Sequence, residues 1–456
     1  MITLLPLGGA NDIGASCYYL DIEGTGVVLD CGTHPRKVGI DALPQFPLLR
    51  DRNVDVALIS HAHQDHIDSL PYLVQHHPYI RIVTTPQTRG IAEVTLHNSV
   101  NILQEQLKDS LTMRPYTHEE IDLLIQNIEW QEYQKEFTVT GYRHGSMDPV
   151  TASFHDAGHI MGSAGTLVEH GGRSIFYTGD INMERQSLLA GATLPDKRVD
   201  VVILECTHGA TDSALLPSRP AEQARLASAA NKVLNRGGSI LIPVFALGKM
   251  QEVLSMIWKL MENGTMAKTD LFTGGVGRKL NGIYDKNRFT VSYNDTDLVL
   301  TDMPQRDLYE VEQIDDLLRH QCVVLAGSGM VIPNTLSFKL AQRWLGNAKS
   351  AIFTVGYMDP ETPGHRIAQS RKGDLLQLTD THEPQNVSCD VDRFRFSAHS
   401  NRDGILSIVE RLRPSTVVLV HGEHESVDWM GYTIMKRFPG IKIHAAQIGK
   451  QVTLFE

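Results

Sequence analysis

Apolar and polar positions alternate in short blocks along this chain. TGVVLDCG (25–32), VDVALISHAH (54–63), SIFYTGD (174–180), VDVVILE (199–205) and TVVLVHGE (416–423) are compact apolar runs rich in Val and Ile. That is the pattern of strands buried on both faces. Amphipathic stretches of helical period lie between them, at about 91–140, 220–236 and from Gly248 onward. GGSILIPVF, QCVVLAG and SAIFTVGY supply further buried strands within 209–394. The opening MITLLPLGGANDIGASCYYL reads as a first strand followed by a Gly-containing turn. This alternation predicts an α/β protein. No internal repeat or low-complexity tract interrupts it.

Each of the first five strands ends in a polar cluster containing His, Asp or Glu. Chemistry in α/β proteins gathers at strand ends, so convergence on one sheet edge is predicted. The densest cluster is Ser60-His61-Ala62-His63-Gln64-Asp65-His66. On a tight turn, with Asp65 and His66 entering a helix, it can present two ligand pairs to two metals. A solvated His-rich turn is the plainer reading, but a strand before and an amphipathic segment after favour ligation. Other donors stand further along. His159 lies between Gly158 and Gly162, Asp180 ends a strand in a position suited to bridging, and His421 ends a late strand. Imidazole and carboxylate donors suit Zn²⁺ and leave room for water, and they also accept Mn²⁺ or Fe²⁺. His34, His76, His77, His97, His118, His144 and His170 have no motif around them and read as surface or packing residues. His155 and His208 sit inside motif segments without an assigned role.

Composition narrows the class. The 456 residues suffice for two or three domains with a sizeable core. With 42% hydrophobic and 21% charged residues the chain fits a soluble globular protein. No apolar run reaches about 18 residues, so no membrane span is expected. The start lacks the basic residues and cleavage site of a signal peptide. Five cysteines, an odd number without close pairs, argue against a disulfide framework and for a reducing cytoplasm. The net charge of −11 at first argues against a polyanionic partner. It is uneven, however: 20 Lys+Arg face 21 Asp+Glu over 209–394, and 22 face 32 elsewhere. The acidic excess falls in the segments that carry the metal donors, where cations offset it. Charge therefore neither supports nor excludes nucleic acid.

The HxHxDH cluster, the Gly-flanked His159 and the strand-end Asp180 together resemble the metallo-β-lactamase superfamily. The resemblance implies one zinc on His61, His63 and His159 and a second on Asp65, His66 and His421, with Asp180 bridging. Asp30 matches the family's early Asp, which orients the site without ligating. Beyond Asp180 the chain looks like the β-CASP family. Glu205-Cys206-Thr207-His208-Gly209 resembles its first motif, and Phe396-Ser397-Ala398-His399-Ser400 its second. His421 in VHGE resembles its third, and IPVFALGKMQEVL (242–254) a strand–turn–helix segment of that family. The fold so implied is an αββα sandwich over 1–208 and 395–456, with an inserted α/β β-CASP domain at 209–394.

The motif set is most similar to the RNA-processing branch, which includes bacterial single-chain ribonucleases and the pre-mRNA 3′-end cleavage subunit. In the DNA-repair branch the third-motif position is typically apolar, so His421 favours RNA. The implied activity is two-zinc hydrolysis of phosphodiester bonds in single-stranded RNA, leaving a 5′-phosphate. Asp65 serves at the metals, and His399, oriented by Glu205, protonates the leaving oxygen. Endonuclease and exonuclease action both fit, as do a homodimer and a processing complex. Lys249, Ser328, Gly329 and Arg366 are candidate phosphate contacts, with FTGGVGRK (272–279) a weaker one. GYMDPETPGHRI (356–367) and SGMVIPNTL (328–336) depart from the family's usual pattern. Three other readings stay open: a β-CASP nuclease acting on single-stranded DNA, a small-molecule hydrolase of glyoxalase or lactonase type, and a non-catalytic binding subunit.

Overall fold

A computed structural model of the chain describes residues 1–108, 113–141 and 148–456. It contains two compact units. The first comprises Met1–Arg185, Leu189–Ser213 and His399–Glu456, the second Gln186–Leu188 and Ala214–Ala398. The expected borders at 208/209 and 394/395 thus stand beside observed ones at 213/214 and 398/399.

In the first unit the five predicted strands all form, but along two sheets rather than one. Thr25–Leu29 and Val56–Leu58 belong to a seven-stranded sheet that also holds Ile2–Gly8, Cys17–Ile22, Arg81–Thr84, Ile128–Trp130 and Val452–Phe455. Arg173–Tyr177, Val201–Glu205 and Thr416–Val420 belong to a second, with Phe137–Thr138, Thr151–Asp156, Ala164–His170 and Lys442–Ala445. Twist makes a single open sheet of so many strands unfavourable, whereas two sheets bury each other's inner faces.

The period-two pattern of the strands decides which core each residue enters. Val201 and Ile203 join Leu20, Leu29, Val56 and Leu58 in one cluster that takes residues from both sheets. Their neighbours Val202 and Leu204 join a second cluster with Ile405, Val409, Val427 and Ile434. Those last four lie on the helices Arg402–Leu412 and His424–Arg437. Val417 to Val420 split between the two clusters in the same way. Strands buried by a sheet on one side and helices on the other have no polar face, which is why they read as continuous apolar runs. Among the described residues, the segment predicted as helical at about 91–140 is helical over Pro86–Leu107 and His118–Asn127. Its tail instead forms the short edge strands Ile128–Trp130 and Phe137–Thr138. Edge strands this short leave too few alternations to announce themselves in the sequence. Among the described residues no helix is long and apolar enough to cross a membrane.

The second unit is built on a six-stranded sheet in the order Arg306–Asp307, Asp270–Thr273, Cys322–Ala326, Ile240–Pro243, Ala351–Val355, Asp390–Phe394. All its ladders are parallel. Helices Arg219–Asn235, Lys249–Glu262, Gly275–Asn287, Leu336–Leu345 and Pro363–Gln369 alternate with the strands. Trp344 and Leu340 pack on Leu241, Val324 and Ile352 in its core.

Candidate metal centre

The His-rich string leaves the strand Val56–Leu58 and enters the short helix Gln64–Ile67. Its backbone is pinned from the adjacent strand end: Cys31 N donates to His66 O at 2.8 Å and Ser16 N to Asp65 O at 2.9 Å. The approach is so close that a Cβ on Gly32 would fall 1.8 Å from the Asp65 carbonyl. Only glycine fits there. His159 follows the strand Thr151–Asp156 in a turn whose Ser163 hydroxyl accepts from the His159 and Ile160 N–H groups, each at 3.2 Å.

Asp30 orders the ring nitrogens. The His66 Nδ1–H donates to its Oδ2 at 2.8 Å, and the Ser60 hydroxyl and Tyr177 OH donate to the same oxygen at 2.7 and 2.6 Å. Ser60 N donates to Oδ1 at 2.6 Å. Ser60 Oγ, its own proton committed to Asp30, accepts from His61 Nδ1 at 3.0 Å. Both imidazoles are thereby held by their Nδ1 atoms with Nε2 turned to the cluster, the orientation that metal-ligating histidines take. Asp30 and His421 hold φ of 59° and 46°. Left-handed backbone at non-glycine residues is costly and concentrates at functional sites.

The nitrogens and carboxylates converge. His63 Nδ1 lies 3.0 Å from His61 Nε2 and 3.1 Å from His159 Nε2, and both of those Nε2 atoms are 3.7 Å from Asp180 Oδ2. On the other side Asp180 Oδ1 is 3.4 Å from His66 Nε2 and 3.3 Å from His421 Nδ1, while Asp65 Oδ2 is 3.2 Å from His421 Nε2. Donor atoms of His61, His63, His159 and Asp180 lie within 4.8 Å of one another, and so do those of Asp65, His66 and His421. His66 Nε2 and Asp180 Oδ1 are buried without a hydrogen-bond partner. Buried polar atoms are otherwise almost always paired. Orphaned polar atoms facing one another, with Asp180 within 3.7 Å of His61 and His159 on one side and of His66 and His421 on the other, fit the binding of divalent metal.

Charge supports the same fit. Burial alone would raise the Asp180 pKa, but His421, His66 and His399 hold it well below the usual carboxylate range. Asp65 is likewise lowered, with His66 and His421 outweighing burial. His61 is pushed well below the usual imidazole range by burial and by His66, so it stays a neutral donor.

Beside this cluster stands a second pair. Glu205, wholly buried at the end of Val201–Glu205, accepts from Ile181 N and Thr207 N, each at 3.0 Å. Its Oε1 is 3.1 Å from His399 Nδ1, and His399 Nε2 points toward Asp180 Oδ2 at 4.0 Å. Burial would lower the His399 pKa, but the carboxylates of Glu205 and Asp180 overcome it and push it up to about 9. Both carboxylates thus favour the protonated form of His399.

With that arrangement established, comparison with known proteins is direct. Residues 19–206 match the metallo-β-lactamase superfamily domain, 250–367 the β-CASP domain, and 384–446 the Zn-dependent metallo-hydrolase RNA specificity domain. The chain thus carries a metallo-β-lactamase superfamily domain and a β-CASP domain. Its relatives include cleavage and polyadenylation specificity factor 73 of Drosophila melanogaster, 28% identical over 96% of this chain and 62% of that protein. Endoribonuclease ysh1 of Schizosaccharomyces pombe is 28% identical over 97% of this chain and 57% of its own length. This β-CASP chain thus spans roughly three-fifths of the curated relatives it matches. A crystal structure of a protein of unknown function from Enterococcus faecalis shares the fold, with TM-score 0.57 at 12% identity and 99% coverage of both chains.

All seven expected ligands and Asp30, Glu205 and His399 lie in the first unit, and the structure brings them together. Lys249, Ser328, Gly329 and Arg366 lie in the second. Lys249 is buried and its ammonium donates to the Phe396 carbonyl. Ser328 Oγ accepts from Ile332 N at 3.2 Å, and Arg366 donates to Gln377 O at 3.3 Å. Gly329 packs so tightly that a Cβ would lie 2.8 Å from Phe245 N. FTGGVGRK turns from the strand Asp270–Thr273 into the helix Gly275–Asn287. Of the remaining histidines, His208 meets the His399 ring edge-on at 5.8 Å, His155 packs on Phe176, and His34 pairs with Asp12 at 2.9 Å. His144 lies outside the described residues. Sequence reasoning missed Ser60 and Tyr177. Ser60 begins the His-rich string and Tyr177 stands three positions before Asp180, but neither residue type announces a carboxylate partner.

Proposed function

We propose that this chain is a two-zinc endoribonuclease that hydrolyses phosphodiester bonds in single-stranded RNA and leaves a 5′-phosphate. The observation that carries the reading is the Glu205–His399 pair beside the cluster, with His399 Nδ1 held by Glu205 and Nε2 turned toward Asp180. A hydrolase acting on lactones or thioesters has no need of a proton donor in that place. The Zn-dependent RNA specificity domain and relatives named endoribonuclease support RNA and internal cleavage.

His61, His63, His159, Asp180, Asp65, His66 and His421 would hold divalent metal, which would supply Lewis acidity and lower the pKa of water toward about 7. The chain's own part is proton delivery and orientation. As water adds to phosphorus and the P–O3′ bond breaks, His399 gives its Nε2 proton to the departing 3′ oxygen. Glu205 holds Nδ1 and keeps the ring charged beforehand. Ile181 N and Thr207 N in turn fix Glu205. General-acid help of this kind is worth about 10²–10⁴ in rate.

Relatives that carry a factor-subunit name support work within a processing complex, with a homodimer as the alternative that solution mass distinguishes. A cytoplasmic location is supported by five free, buried cysteines. The test is cleavage of 5′- and 3′-labelled single-stranded RNA by zinc-loaded protein, beside Asp65→Ala and His399→Ala and with matched DNA. Internal cuts with 5′-phosphate ends that vanish in both variants support the reading. Preference for DNA, 5′-hydroxyl ends, or activity on small esters that survives His399→Ala sinks it.

A further inference from the structure

The strand Asp390–Phe394 pairs with Ala351–Val355 only as far as Phe394. The chain runs on past the end of that ladder as Arg395-Phe396-Ser397-Ala398 to His399, and Phe396 is only 1% exposed. Buried backbone groups must be paired, and here side chains of two helices take over. Glu222 accepts from Arg395 N at 2.7 Å, the Lys249 ammonium donates to Phe396 O, and Arg219 Nη2 donates to Ser397 O at 2.8 Å. Arg219 Nη1 is 2.9 Å from Glu252, whose carboxylate also accepts from Ser187 N at 2.6 Å and Leu188 N at 3.0 Å.

Two cations thus hold consecutive carbonyls, and one of them, Arg219, is itself paired with Glu252. Burying charge is costly, and a neutral donor would satisfy a carbonyl at lower cost. Burial and the neighbouring Arg219 push the Lys249 pKa down to about 8, a mark of that expense. On the far side of His399 the chain is held as well, by Ser400 N donating to Ile181 O at 2.8 Å.

We propose that Arg219 and Lys249, with Glu252 orienting Arg219, are positioning residues for His399: they fix the Phe396 and Ser397 carbonyls and so the backbone from which that imidazole extends. The inference rests on the reading of His399 as proton donor to RNA. A misplacement of about 1 Å in a catalytic group can cost on the order of 10²-fold in rate. Arg219→Lys, which keeps the charge but loses the two-armed grip, should therefore lower kcat on RNA by about ten- to a hundred-fold. KM should stay within about two-fold, since substrate contacts are untouched.

The deciding experiment is a double-mutant cycle on zinc-loaded, full-length protein, with thermal midpoint and metal content measured alongside. In the His399→Ala background Arg219→Lys should change kcat by no more than about two-fold, because the group it positions is gone. A loss of about ten-fold in both backgrounds would mean general disturbance and overturns the proposal. Glu252→Gln, which keeps an acceptor for Ser187 and Leu188, is run through the same cycle and decides the matter if Arg219→Lys does not fold. Wild-type protein that leaves RNA intact removes the functional reading and this inference together. An active wild type without coupling removes this inference alone.

Discussion

Replacing Glu205 by Gln isolates the contribution of one buried charge to proton delivery. The carboxylate faces three donors, Ile181 N, Thr207 N and His399 Nδ1, at 3.0 to 3.1 Å. An amide of the same shape offers one oxygen to them and must turn its NH₂ toward another N–H. A buried hydrogen bond to a charged group contributes about 1.5–3 kcal/mol, and 1.36 kcal/mol corresponds to one pKa unit. The imidazolium should therefore lose about one to two units of its elevation. His399 stands at about 9 with Asp180 uncompensated. Cations on Asp180 remove that share but leave the share of Glu205, so the wild-type alkaline limb should lie at or below pH 9. The sign follows from which form works. The acid form is active, so rate falls as pH rises through the folded pKa, and lowering that pKa moves the limb to lower pH. The assay is kcat/KM on a labelled RNA from pH 6 to 10, with bound metal measured for each protein. Glu205→Gln should shift the descending limb down by about one to two units and keep its metal. An unmoved limb refutes the reasoning. So does loss of metal, because Asp180, Glu205 and His399 also lie close enough to hold an ion, and Glu205 would then be a ligand rather than a charge behind the acid.

Asp30→Asn should weaken metal binding about 10–100-fold by competition with a chelator, since the carboxylate that fixes His66 and, through Ser60, His61 is lost. Removing the metals with a chelator should abolish cleavage and lower the thermal midpoint, because the orphaned His66 Nε2 and Asp180 Oδ1 lose their partner. Restored zinc should reverse both. Asp68, buried with Ser99 as hydrogen-bond donor, has its pKa raised by burial to about 7. Its folded value lies above its unfolded one, so its contribution to stability is full below about pH 4 and is lost as pH rises to about 7. Asp68→Asn should then stabilise the fold by about 2–4 kcal/mol at pH 8 and have little effect near pH 4, as urea melts at the two pH values would show.

Most of the site was legible because its donors are either adjacent in the chain or mark strand ends. His61, His63, Asp65 and His66 need only one turn to meet, and Asp180 and His421 follow apolar runs that could hardly be anything but buried strands. What stayed hidden was pairing across distance. Tyr177 meets Asp30 across 147 positions, and no local pattern marks a tyrosine as a carboxylate partner. The division into two sheets was hidden for a related reason. A strand covered by helices on one side reads the same whether its other face meets helices or a second sheet, as Val201–Glu205 shows by feeding two cores. Lys249 marks the limit most clearly. A lysine after glycine at a helix start suggests a surface phosphate contact, and only the fold reveals that its ammonium goes to the Phe396 carbonyl, just past the end of the Asp390–Phe394 ladder. The pairing of Glu205 with His399 is of the same kind. Glu205 and His399 are 194 positions apart, each an ordinary strand-end or loop residue, and their chemistry exists only once the chain has closed on itself.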